Sequence, residues 1–159
     1  MGRLEHISGP QDTSYTGVSV PSVAINIGKS LTSHLVLGGG IFFDYTSSVT
    51  AHVGGQSGDA GTGLIPLGLG AFADYYLDPH RGGLHFQAFL GWGGAESTEN
   101  TGGSDPTGLT VYAGAGWDKF ISSEMSIGVL GRLGYGSWSI SGADYTWLSP
   151  SVLGTVTWH

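Results

Sequence analysis

Apolar and polar residues alternate with a period of two along most of the chain. In residues 64–77, Ile65, Leu67, Leu69, Ala71, Ala73, Tyr75 and Leu77 form one series; Pro66, Gly68, Gly70, Phe72, Asp74 and Tyr76 form the other. Successive side chains of a strand point to opposite faces, so this stretch predicts a strand with one greasy face and one mixed face. The same pattern predicts strands over 18–30, 34–48, 63–77, 83–95, 108–121, 125–140 and 145–158, and helical periodicity is almost absent.

The links alternate in length. "LTS", "DPHRG" and "SSE" are short, whereas "SVTAHVGGQSGDAG", "ESTENTGGSDPT" and, less long, "SGADY" are longer; residues 8–17 read as another loop of the long kind. An up-and-down meander with short turns at one end and free loops at the other has this rhythm, and transmembrane barrels show it by rule.

Composition decides which face is outside. Charged residues are 11% of the chain, against roughly 25% in a typical soluble domain. Most lie in the links, and the strands keep only Lys29, Asp44, Asp74, Asp118, Lys119 and Arg132. Nearly all of that charge is expected on the face rich in Gly and Ser. The opposite face carries runs such as Leu84, Phe86, Ala88, Leu90 and Trp92, or Ile127, Val129, Gly131, Leu133 and Tyr135. A soluble barrel would put charge outside and bulky aliphatics inside. The pattern here fits a crowded polar interior and an apolar exterior turned to lipid, which a sheet tolerates only when closed into a barrel.

The predicted fold is therefore all-β, an antiparallel up-and-down transmembrane β-barrel. It has seven clear strands plus a short or truncated first strand, making eight in the full fold, since bacterial barrels of this class have an even number. Residues 1–17 are expected to be an N-terminal segment, a remnant of the first strand and its loop, and 18–159 the barrel. "GRLEHIS" is too short and too charged for a full spanning strand, and Pro21 and Pro150 lie on the two strands that would flank it. No basic segment followed by an apolar stretch opens the chain, so we expect either a removed signal peptide or a start part-way into a longer protein. On the outer face, Tyr75, Trp117 and Trp158 fall near the short turns and Tyr45, Trp92 and Tyr135 toward the long loops, as in membrane-interface belts.

Other classes are disfavoured. A net charge of −7 argues against a nucleic-acid partner, and the absence of Cys excludes disulfides and thiolate metal sites. No cofactor or metal is expected: His80 and His85, in or next to one turn, read better as a solvated residue and an inward strand residue. Gly68-x-Gly70 and Gly114-x-Gly116 sit within strands and imply no phosphate loop.

The alternation, the loop asymmetry and the closing "YTWLSPSVLGTVTWH" together resemble the small eight-stranded bacterial outer-membrane barrels of the opacity-protein and outer-membrane-protein-A or -W type. The resemblance covers residues 18–159 and is one of pattern. Members typically end in a strand with alternating apolar residues and a terminal aromatic, read by the outer-membrane assembly machinery. Trp158, Val156 and Val152 match, but His159 follows the aromatic. The resemblance implies a Gram-negative outer-membrane location, contact with the lipid bilayer and lipopolysaccharide, and long loops open to extracellular partners. Some such barrels are lipid A-modifying enzymes using Ser and His. No His here sits in a recognisable Ser/acid constellation, so no catalytic residue is assigned.

The candidate site is an internal polar network of Asp44, Asp74, Asp118, Arg132, Gln87, His85, His34 and Tyr112. A buried carboxylate needs a partner, and the long side chain of Arg132, near mid-height, is expected to reach down and centre the network. Its role is structural or gating. Three functions follow: a structural or surface-interaction protein with a largely filled lumen, a small passive porin-like channel, or, with the faces reversed, a soluble lipocalin-like binder of a hydrophobic ligand.

Overall fold

The computed structural model describes residues 2–6, 13–59, 63–78, 82–97, 106–123, 125–140 and 143–158. The strands are β1 (Gly2–His6), β2 (Thr13–Ser30), β3 (Leu35–Val53), β4 (Gln56–Asp59), β5 (Leu64–Tyr76), β6 (Gly83–Ser97), β7 (Thr107–Phe120), β8 (Met125–Ile140) and β9 (Ala143–Trp158). All pairings are antiparallel, and consecutive strands from β5 to β9 pair with one another in up-and-down order. β4 is a short extension hydrogen-bonded only to β3 among the described residues.

The ladder runs β2-β1-β9-β8-β7-β6-β5-β3, and β3 pairs with β2 in turn. Beside β1 this makes a circuit. β1 is the bridge: Gly2 to Glu5 pair with Gly17 to Ser14 of β2, and Arg3 to His6 pair with Leu148 to Tyr145 of β9. Below that level, among the described residues, no ladder joins residues 18–30 of β2 to 149–158 of β9. The first strand is thus a five-residue piece.

Two segments expected as loops are strand. β2 begins at Thr13, inside the stretch read from its Ser, Thr and Gly content as a loop. The link after residue 48 is the end of β3, a tight turn at Gly54–Gly55 and β4. Both glycines have positive φ, 57° and 84°, the backbone a two-residue hairpin turn requires. The short turns close locally: Leu31 N–H donates to the Leu35 carbonyl (2.9 Å), and Ile121 N–H to that of Met125 (2.9 Å). Pro21 lies in a register shift of β2 between Ser19 and Ser22, where a ladder tolerates a residue without an N–H.

The sheet curls around a common interior, because strands that are not neighbours meet there. Phe42 on β3 packs edge-on against Tyr112 on β7 (4.8 Å between ring centres) and stacks with Trp147 on β9 (6.2 Å). Trp147 also stacks on Trp138 of β8 at 5.5 Å. With Phe72 and Phe89 these rings form the apolar core. The interior is therefore not lined only by small and polar groups, as the glycine content suggests; aromatic rings fill the space the glycines leave.

The aliphatic series lies outside: Leu69 is 66% exposed and Val129 55%, while Asp44 is 0% and Arg132 7% exposed. Lys29 and Lys119 correct the expected placement of charge. They pair with Leu37 and Ile127 on the outer face, both at the short-turn end, and are exposed.

Candidate functional site

The inward polar residues form two clusters at different heights. The first joins β3, β7, β8 and β9. Asp44 comes from the long-loop half of β3, and its carboxylate accepts from Arg132 Nη2 (3.2 Å) and from the Tyr112 hydroxyl (3.1 Å). Arg132 Nε donates to Ser151 Oγ at 3.1 Å, and the guanidinium lies 4.2 Å from the centre of the Tyr112 ring. Both charges are out of water, so the ion pair stands on these added donors and the ring face rather than on Coulomb attraction alone.

The second cluster lies toward the short turns, where β5 ends, β6 begins and β7 ends. His85 is 2% exposed. Its Nδ1 sits 2.7 Å from Asp74 Oδ1, and Gln87 Nε2 donates to the other oxygen of Asp74 at 3.1 Å. Asp118 accepts from Thr155 Oγ1 (2.9 Å) and from the Tyr76 hydroxyl (3.4 Å). His85 Nε2 points toward Asp118, 3.8 Å from Oδ1, beyond hydrogen-bond reach. The Tyr76 ring stacks on the imidazole at 5.0 Å. Ionised carboxylates only accept, so an imidazole carrying both N–H groups presents a donor to each side.

This corrects the single network centred on Arg132. Arg132 turns toward Asp44 and Ser151, and the basic group facing Asp74 and Asp118 is His85. A long side chain at mid-height can reach either way; the Tyr112 face and the buried Asp44 decide it. His34 also stands apart. It sits in the turn before β3, where its Nδ1–H donates to the Tyr76 carbonyl (2.8 Å) and its ring stacks on Tyr75. The expected network left out Tyr76, Ser151 and Thr155, although the alternation puts them on the inward face, and the pattern reading passed over Trp138 and Trp147. All share the inward parity of Asp74, Arg132 or Leu153, so strict counting along each strand finds them.

Glycine makes room for the second cluster at two points. A Cβ on Gly116 would run into the His85 imidazole, and one on Gly128 into the Asp118 carboxylate. Gly116→Ala and Gly128→Ala are expected to cost about 1–3 kcal/mol each in a urea titration, as overpacking does. Gly131→Ala serves as control: the nearest atom to its Cβ would be 3.8 Å away, an ordinary contact, and its midpoint should not move.

Of the expected interface aromatics, Tyr75, Trp92, Trp117 and Tyr135 are outward and exposed, and Tyr45 is outward and half-buried. The Trp158 side chain and His80 lie outside the described part. Among the described residues, no group of three His, Asp or Glu side chains is placed to hold a metal ion. A cavity of about 580 Å³ runs from the inner side of β2 and β9 to Asp74, His85 and Gln87. Comparison with protein-family models, curated proteins and solved structures finds no match for this chain.

Proposed function

We propose that this protein is an integral β-barrel of a bacterial outer membrane, with a structural or surface-interaction role and a largely filled lumen. The observation that carries the reading is the division of the sheet's two faces. Outward positions from Leu67 to Tyr75, Leu84 to Trp92, Leu109 to Trp117 and Ile127 to Tyr135 carry no charge, and all are exposed except Ala73 and Val111, which are half-buried. Soluble monomers rarely expose a contiguous apolar patch beyond a few hundred Å². Lys29 and Lys119, at the short-turn rim, suit lipid phosphates, and outward Tyr and Trp suit the interface. The bilayer and lipopolysaccharide are the proposed partners, with the long loops free for extracellular ones and the last strand for the assembly machinery. The likeness to opacity-type and outer-membrane-protein-A or -W-type barrels supports the same reading. No enzymatic role is proposed.

Membrane fractionation tests it. The protein should stay with membranes through a carbonate wash and need detergent for release; a monomer soluble without detergent would overturn the reading. The lipocalin-like alternative needs the aliphatic series inside, and Leu67, Leu69 and Val129 are outside.

The channel alternative draws on the cavity beside Asp74 and His85. Above it, the rings of Phe42, Tyr112, Trp138 and Trp147 and the Arg132–Asp44 pair fill the interior. Planar bilayers should therefore stay silent, and steady unit openings would favour the channel.

A further inference from the structure

His85 is the centre of a diagonal pattern on the inner face. Across the ladders its direct neighbours are Tyr76 of β5 and Gly116 of β7. The two carboxylates lie two residues along from these neighbours, on opposite sides of the imidazole. Asp74 is one step toward the long loops, and Asp118 one step toward the short turns. Such diagonal positions are within reach of a long or ring-bearing side chain. The imidazole spans them, with Nδ1 2.7 Å from Asp74 Oδ1 and Nε2 3.8 Å from Asp118 Oδ1. All three side chains are buried.

The other partners of the two carboxylates are uncharged: Gln87 on Asp74, and the Thr155 and Tyr76 hydroxyls on Asp118. Among the described residues, the titratable groups facing the imidazole are therefore Asp74 and Tyr76 from β5 and Asp118 from β7, while β6 and β9 bring only Gln87 and Thr155. The ring is held in place on two sides. A Cβ on Gly116 would collide with its Nε2, so this edge lies against the β7 backbone, and the Tyr76 ring covers one face at 5.0 Å.

The protons on the ring decide the charge balance. With both N–H groups it is a cation between two carboxylates. With one, the short contact to Asp74 keeps the Nδ1 proton, and the Nε2 lone pair faces the Asp118 carboxylate. Nε2 has no hydrogen-bond partner among the described residues that would relieve this. An acceptor facing a carboxylate out of water is costly.

We infer that His85 is a proton-operated brace: the doubly protonated imidazole ties the short-turn ends of β5, β6 and β7 together, and release of its second proton loosens them. In the unfolded chain the same imidazole is in water and loses that proton near pH ~6.5. The brace needs the proton in the folded state, so its contribution is complete at lower pH and is lost as pH rises. The Asp44–Arg132 cluster contains no imidazole and is not released in this way. The brace goes beyond the membrane reading and rests on interior geometry alone, so the fractionation above tests a separate claim.

Urea titrations of the refolded protein at about pH 6 and about pH 9 test it. The wild-type midpoint should be lower at the higher pH by about 0.5 M or more. His85→Gln should lower the midpoint at the acid value and leave the same midpoint at both. His34→Gln should keep the wild-type difference, because His34 stands outside the cluster on the Tyr76 carbonyl. Equal wild-type midpoints, an undiminished fall in His85→Gln, or loss of the difference in His34→Gln would each overturn the brace. Should His85→Gln fail to refold, Asp118→Asn decides. Its amide offers Nε2 a donor in place of a carboxylate, so the difference between the two pH values should shrink to less than half; a full difference there would contradict the inference.

Discussion

Arg132→Ala is expected to produce the largest loss of stability of any single substitution in the interior, about 3–5 kcal/mol, read as a lower urea midpoint for the protein refolded in detergent or lipid. The cost comes from what is left behind. Asp44 is fully buried and would keep the Tyr112 hydroxyl as a donor from across the interior while losing the cation at 3.2 Å. The Tyr112 ring would lose the guanidinium over its face, and Ser151 the donor to its hydroxyl. Asp44→Asn combined with Arg132→Met should recover a large part of the loss, because no unpaired charge then remains in that cluster. An unchanged midpoint for Arg132→Ala would show that the Asp44 cluster does not hold the sheet together.

The second large effect belongs to the outer face. Leu90 is 58% exposed, between Ala71 and Val111 on neighbouring strands and inside the level of Trp92 in the apolar band. Leu90→Arg should cost about 2–4 kcal/mol in a bilayer, the depth-dependent penalty for a cation on the lipid face of a barrel. Leu133→Arg, 50% exposed on β8 and paired with Ala113, should behave alike. In water a charge at so exposed a position costs little. The sign of the effect therefore reports the solvent: strong destabilisation in lipid vesicles is expected, and neutral behaviour there would mean that the face meets water. Lys119→Leu, at the short-turn rim, should change stability far less.

Much of the fold is legible in the sequence because a period of two admits few readings. β8 is found at 125–140 as its alternation predicts, and β5 to β7 agree to within two residues. The two misplaced loops have a shared cause. Residues 13–17 and 48–59 are rich in Ser, Thr and Gly, which reads as loop, and the signal that outranks composition is the Gly54–Gly55 pair flanked by strand-like residues. The short first strand was legible from its length and charge, and the structure gives it five residues.

The site was legible in membership more than in wiring. Parity puts Asp44, Asp74, His85, Gln87, Tyr112, Asp118 and Arg132 on one face, and they are inward. Parity says nothing of height differences across the interior, which follow from the stagger of the strands. That stagger brings Asp44 of β3 to Arg132 of β8 and leaves Asp74 and Asp118 to His85. The aromatic filling was underweighted because glycine counts suggest a narrow space, whereas Trp138 and Trp147 occupy the room that residues such as Gly134 and Gly136 leave.

The most direct measurement of the central claim is quenching of tryptophan fluorescence by lipids brominated on their acyl chains, using variants that each retain one tryptophan. Trp92 and Trp117, exposed on the outer face, should be quenched strongly, while Trp138 and Trp147, each 1% exposed inside the sheet, should not. Strong quenching of Trp138 and Trp147 with none at Trp92 and Trp117, or no quenching at any of the four, would contradict an apolar face turned to acyl chains.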